Sequence, residues 1–101
     1  MSHFSPDDLE RCRIEIDALD LRLLELLNQR TRVVEEIGNV KQALQLAIYE
    51  PKREDQVFTN VTGANQGPLP NDAVKRIFER IIDEMRTVQK LKILGKDSSC
   101  S

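Results

Sequence analysis

The feature that most constrains this chain is an apolar series spaced by threes and fours: Leu9, Cys12, Ile16, Leu19, Leu23, Leu26, Arg30, Val33, Ile37, Val40 and Leu44. That spacing is a heptad seam of about five repeats. No proline interrupts it before Pro51. Ser5-Pro6-Asp7-Asp8 has the chemistry of a helix start. Ser5 can cap, Pro6 suits the first helical position, and the two aspartates favour the positive end of the helix dipole. The pattern predicts one helix over 5–46. At ~1.5 Å per residue it would run about 60 Å. A compact domain of this size has a radius of gyration of only ~13 Å. The chain cannot cover such a helix itself, and a second copy related by a two-fold axis is the simplest cover.

Ile48-Tyr49-Glu50-Pro51 breaks the helix, because the residue before a proline disfavours helical geometry. Pro51 then opens a short second helix carrying Val57, Phe58 and Val61 and ending near Gly63. Residues 63–70 (GANQGPLP) read as a loop. A third helix starts at Pro70 or Asn71, with the stripe Val74, Ile77, Phe78, Ile81, Ile82, Met85 and Val88 at helical period. Gly95 reads as its stop and 96–101 as a frayed tail. The expected fold is all-α, with long, short and medium helices. It forms one domain over 1–101, helical from about 5 to 94 with a flexible tail over 95–101.

Composition narrows the chemistry. Aromatic residues make up 4% of the chain and there is no Trp, which disfavours a β-sandwich or barrel. Lys and Arg total 15 against 17 Asp and Glu, a formal charge of −2. Without a basic surplus, no nucleic-acid partner is expected. Cys12 and Cys100 are the only cysteines and His3 the only histidine, so no metal centre, disulfide framework or histidine triad is expected. Gly38, Gly63, Gly67 and Gly95 form no phosphate-binding loop, and no cofactor is expected. No apolar run opens the chain, and none approaches the ~20 residues of a membrane span. The expected location is cytoplasmic, with no membrane partner.

Several polar residues stand where the pattern calls for apolar ones. Arg30 occupies a seam position, and Lys41 lies eleven residues on. On a helix that is a rotation of about 20° and a rise of ~16 Å, so the two cations share a face and can converge on one small anion. Read singly, Arg30 is an arginine whose stem packs while its head reaches water, and Lys41 is a solvated lysine. Arg13 lies ~25 Å before Arg30 and about 100° round. It cannot reach the same ligand within one chain, although in an antiparallel dimer it can reach the partner's site. Its plain reading is a surface arginine paired with a neighbouring acid. Glu50, Arg53 and Glu54 share a face at the start of the second helix, either as a capping cluster with a local ion pair or as part of a site. Gln89 is either a helix end reaching solvent or a donor aimed into a cavity. Gly38 suggests close approach of another helix or a ligand. Tyr49 and Phe58 read as packing residues. The cations Arg13, Arg30, Lys41 and Arg53 outnumber the acids Glu50 and Glu54, so a dianion is the natural guest.

Three stretches together resemble a family. Arg13 to Asp20, Leu23 to Arg30 and Ile37-Gly38 to Lys41 are similar to the first helix of the all-α chorismate mutases. Ile48-Tyr49-Glu50-Pro51-Lys52-Arg53-Glu54 is similar to the family's second-helix motif, and Ile77-Phe78 through Ile81-Ile82 to Gln89 to its third. The resemblance implies an intertwined homodimer of three-helix chains that converts chorismate, a dianion, to prephenate. It implies that Arg30 and the Arg13 of the other chain clamp the two carboxylates, and that Lys41 and Gln89 donate to the ether oxygen. It further implies that Arg53 helps bind a carboxylate and that Glu54, helped by Glu50, meets the ring hydroxyl. Met85 stands where some members carry a Ser that contacts a carboxylate.

The inventory suits that chemistry. A Claisen rearrangement is intramolecular and needs no nucleophile, metal or cofactor. It needs a clamp for the compact conformer and donors where negative charge grows. An isochorismate-pyruvate lyase of the same fold would use the same clamp. A helical dimerisation or regulatory module without catalysis would explain the seam, but not Arg30, Lys41 and Gln89 on packed faces.

Overall fold

The computed structural model describes residues 3–99, and side chains over 3–92. Cys100 and the last residue of the expected tail lie outside the described residues. The helices are α1 (Pro6–Ala43), α2 (Pro51–Ala64) and α3 (Asn71–Ser99), in the long, short and medium order that the sequence predicts. The chain divides into two compact units, Met1–Arg32 and Val33–Ser101.

The first unit holds the beginning of α1. Asp8 turns its carboxylate back to cap the helix. Its Oδ2 accepts the Ser5 backbone N–H at 2.8 Å and the Ser5 hydroxyl at 3.3 Å, a variant of the capping box. The seam residues of this unit stand in solvent. Leu19, at 47%, is the least exposed of Leu9, Ile16, Leu19, Leu23 and Leu26.

The second unit holds the last turns of α1 with α2 and α3. Here α1 buries Val34, Gly38 and Lys41. The seam residues Val33, Ile37, Val40 and Leu44 stay exposed. The face this unit covers is therefore offset from the seam by one residue, about 100° round the helix. Val74, Ile82 and Met85 of α3 join Val34 as the buried apolar residues, and none of the described large side chains is fully enclosed. Phe58 of α2 is half-buried, with the Lys75 ammonium 5.8 Å from its ring centre. Tyr49 is 58% exposed, so it is not the packing residue expected.

The long helix ends earlier than its periodicity predicts. The Leu46 N–H donates to the Lys41 carbonyl at 2.7 Å, and the Gln45 N–H to the Gln42 carbonyl at 3.2 Å. Gln45 has φ 59°. This is a Schellman cap, which usually places glycine at the left-handed position. With glutamine there, composition gives no sign of the stop. Gln45→Gly should relieve the left-handed penalty and stabilise the protein by about 1 kcal/mol. Urea denaturation should show a raised midpoint for Gln45→Gly and none for Gln45→Ala.

Asn65 pins the connection between α2 and α3. Its amide nitrogen donates to the Leu69 carbonyl at 2.7 Å and Asn71 Oδ1 at 2.8 Å, and its amide oxygen accepts the Gly67 N–H at 3.0 Å. Gly67 has φ 75°, where glycine is favoured. Gly95 does not stop α3, which continues to Ser99. A lone glycine weakens a helix by ~1 kcal/mol without ending it. Among the described residues, no helix is long and apolar enough to cross a membrane.

Candidate active site

The Schellman cap turns the chain back over the end of α1 and sets the surroundings of Lys41. The Lys41 ammonium donates to the Ile48 carbonyl at 2.9 Å and pairs with Glu50 Oε1 at 2.7 Å. Lys41 is 8% exposed, so it is not a solvated lysine. An ammonium has three N–H donors, and these contacts use two. Lysine is rarely buried this deeply, since removing its charge from water is costly.

Gln89 reaches the same face of α1 from α3. It is 7% exposed, and its Nε2 donates to the Val34 carbonyl at 3.1 Å. This is the interior reading of Gln89 rather than a helix end in solvent. Its amide carries a second N–H. Gly38 lies between Val34 and Lys41 on that face, and a β-carbon there would stand 3.5 Å from Gln89 Cγ. That is ordinary contact, so the helices are close at Gly38 but not too close for alanine. Met85 is buried one turn before Gln89 on α3.

A second polar group joins α2 to α3. Arg86 pairs through Nη2 with Glu54 Oε2, and through Nη1 with Asp83 Oδ1 at 3.5 Å. Its guanidinium lies 4.9 Å from the Tyr49 ring centre. The hydrogen bond to Glu54 raises the Arg86 pKa, outweighing the burial that lowers it. Glu50 and Glu54 thus find cationic partners in other helices rather than in a local cluster. Glu50 precedes α2 but its side chain does not cap it.

Lys41, Glu50, Met85, Gln89 and the Glu54–Arg86 pair all belong to the second unit. Arg53 is exposed, and its Nη1 donates to Gln56 Oε1 at 3.3 Å. Arg13 and Arg30 belong to the first unit, Arg13 exposed and Arg30 half-buried. Arg86 was not among the residues the sequence singled out. It follows Met85 directly and lies off the apolar stripe, and no motif links it to Glu54.

Long, short and medium helices, with an ammonium and a carboxamide buried among apolar residues, define an all-α protein with polar donors in its interior. The chain belongs to the chorismate mutase type II family, whose model matches residues 12–90. It is 33% identical to the bifunctional chorismate mutase/prephenate dehydratase of Stutzerimonas stutzeri, over 94% of this chain and 28% of that protein. It is 34% identical to the enzyme of the same description from Pseudomonas aeruginosa, over 92% and 28%. The chain thus spans little more than a quarter of the length of these relatives. Among solved structures, form II of the Thermus thermophilus chorismate mutase matches with a TM-score of 0.80 and 32% identity, covering 81% of this chain and 93% of that one. The Helicobacter pylori chorismate mutase in complex with prephenate matches with a TM-score of 0.79 and 29% identity, covering 84% and 92%.

Proposed function

We propose that this chain acts as a cytoplasmic, homodimeric chorismate mutase, rearranging chorismate to prephenate without a cofactor. The observation that carries this reading is the paired burial of Lys41 and Gln89, each holding an N–H beyond its protein contacts. In the rearrangement the ether C–O bond breaks as a new C–C bond forms, and negative charge grows on the ether oxygen. Lys41 and Gln89 donate to that oxygen. An amide donor and an ammonium together stabilise the growing charge without a titrating acid. Arg30 and Arg13 of the partner subunit clamp the carboxylates, favouring the compact conformer. Arg53 adds a carboxylate contact, and Glu54, with Glu50, accepts the ring hydroxyl. Met85 lines the site and supplies apolar contact where some family members carry a hydroxyl.

The dimer reading draws support from the exposed seam. Val34, Gly38 and Lys41 are buried within the chain, whereas Val33, Ile37, Val40 and Leu44 are exposed. One face of α1 thus serves its own chain, and the seam remains for a second copy. Stability should therefore rise with protein concentration. Sedimentation across a wide dilution range should show a dimer dissociating together with its fold, whereas a well-folded monomer at micromolar concentration would reject the shared site.

Separate incubation with chorismate and isochorismate tests the reaction. Prephenate from chorismate is expected. Salicylate and pyruvate from isochorismate alone would make the chain a lyase, and turnover of neither would leave a non-catalytic module.

A further inference from the structure

Arg86 is the one cation of the second unit's polar group that the proposed reaction leaves without a task. It lies on α3, directly after Met85 and three residues before Gln89. Its guanidinium holds Glu54 of α2 on one side and Tyr49 on another. Tyr49 lies between Ile48 and Glu50, the two residues that hold the Lys41 ammonium. The short segment 48–50 is therefore held twice: by Lys41 of α1 on either side of Tyr49, and by Arg86 of α3 against its ring.

We infer that Arg86 is a positioning residue that sets the Glu54 carboxylate against the substrate's ring hydroxyl. This rests on the assignment of Glu54 to that hydroxyl. Arg86 engages Oε2 of Glu54, so Oε1 is the oxygen left to accept the hydroxyl's hydrogen. A guanidinium suits the task because it is planar. It can stack on a ring and present N–H groups along its edge at the same time. A lysine ammonium can pair with Glu54 but cannot also stack as a plane. Arg86 itself touches no reacting atom, so its influence falls on how well the hydroxylated ring is held.

The test measures kcat and KM for this chain and four variants: Arg86→Met, Arg86→Lys, Glu54→Gln and Arg86→Met/Glu54→Gln. Each is assayed with chorismate and with a chorismate analogue lacking the ring hydroxyl. Arg86→Met should raise KM for chorismate about tenfold with a smaller change in kcat, and Arg86→Lys should recover part of that loss. With the analogue, both should stay within about twofold of the parent protein, because no hydroxyl is there to be held. The double variant should match Glu54→Gln on chorismate, as expected for residues acting as a unit. Equal losses on both substrates, or an Arg86→Met effect that persists undiminished in the Glu54→Gln background, would overturn the inference while leaving the Glu54 assignment standing. A Glu54→Gln variant with unchanged chorismate kinetics would overturn the Glu54 assignment, and the inference with it. If Arg86→Met does not fold, Arg86→Lys decides: a loss on chorismate alone supports the inference, and a loss on both substrates overturns it.

Discussion

Lys41→Ala is expected to lower kcat by about 10²–10³-fold, with KM changed only a few-fold. Removing one donor from a site of developing negative charge typically has an effect of that size. The asymmetry follows from when the charge appears. The ether oxygen of bound chorismate is nearly neutral and becomes strongly accepting only as the C–O bond breaks. An interaction made chiefly in the transition state lowers kcat rather than binding. The surroundings of Lys41 suit the proposed role. Its ammonium is already out of water and fixed by the Ile48 carbonyl and Glu50, so little reorganisation remains for the reaction itself. The same contacts mean that Lys41→Ala also strips the Ile48 carbonyl of a donor and Glu50 of its partner. Lys41→Met, which keeps much of the stem, separates loss of charge from loss of packing. Steady-state kinetics, with the dimer verified by sedimentation, should show both variants impaired chiefly in kcat. A change confined to KM would contradict the ether-oxygen role.

How much of this was legible in the sequence depended on whether the signal was periodic. Arg30, Lys41 and Gln89 stood out because each interrupts or adjoins an apolar stripe with a fixed step, and a polar residue in such a stripe is a local anomaly. The order and kind of the helices followed from the same periodicity together with Pro51 and the 63–70 loop. The end of α1 did not, because the left-handed residue that stops it is Gln45 rather than a glycine. Gly95 misled in the opposite direction, since a glycine is compatible with continued helix and only its backbone angles decide.

The partners of the acids were hidden for a different reason. Glu50, Arg53 and Glu54 share a helical face, which suggests pairing among themselves. Glu50 instead meets Lys41, and Glu54 meets Arg86 from 32 positions away. Spacing within one helix says nothing about which residue a neighbouring helix brings. The two faces of α1 are likewise not separable from periodicity alone. The strong 3–4 series marks the face left exposed, and the weaker set Val34, Gly38 and Lys41 marks the face covered within the chain. With a glycine and a lysine in it, the covered set carries little hydrophobic signal.

Mixing two disabled variants tests most directly whether one working site needs residues from two chains. Arg13→Ala and Arg30→Ala should each lose activity by on the order of 10²-fold or more, since each leaves one carboxylate unclamped and the reactive conformer poorly held. In a heterodimer of the two, one site combines the intact Arg30 of one chain with the intact Arg13 of the other, while the second site lacks both. Random exchange of equal amounts makes about half the dimers heterodimers, so the mixture should recover about a quarter of the parent activity. The assay is prephenate formation from chorismate, before and after subunit exchange confirmed by mass-tagged chains. Recovery near a quarter is the predicted result, and no recovery once exchange is complete would contradict a site shared between chains.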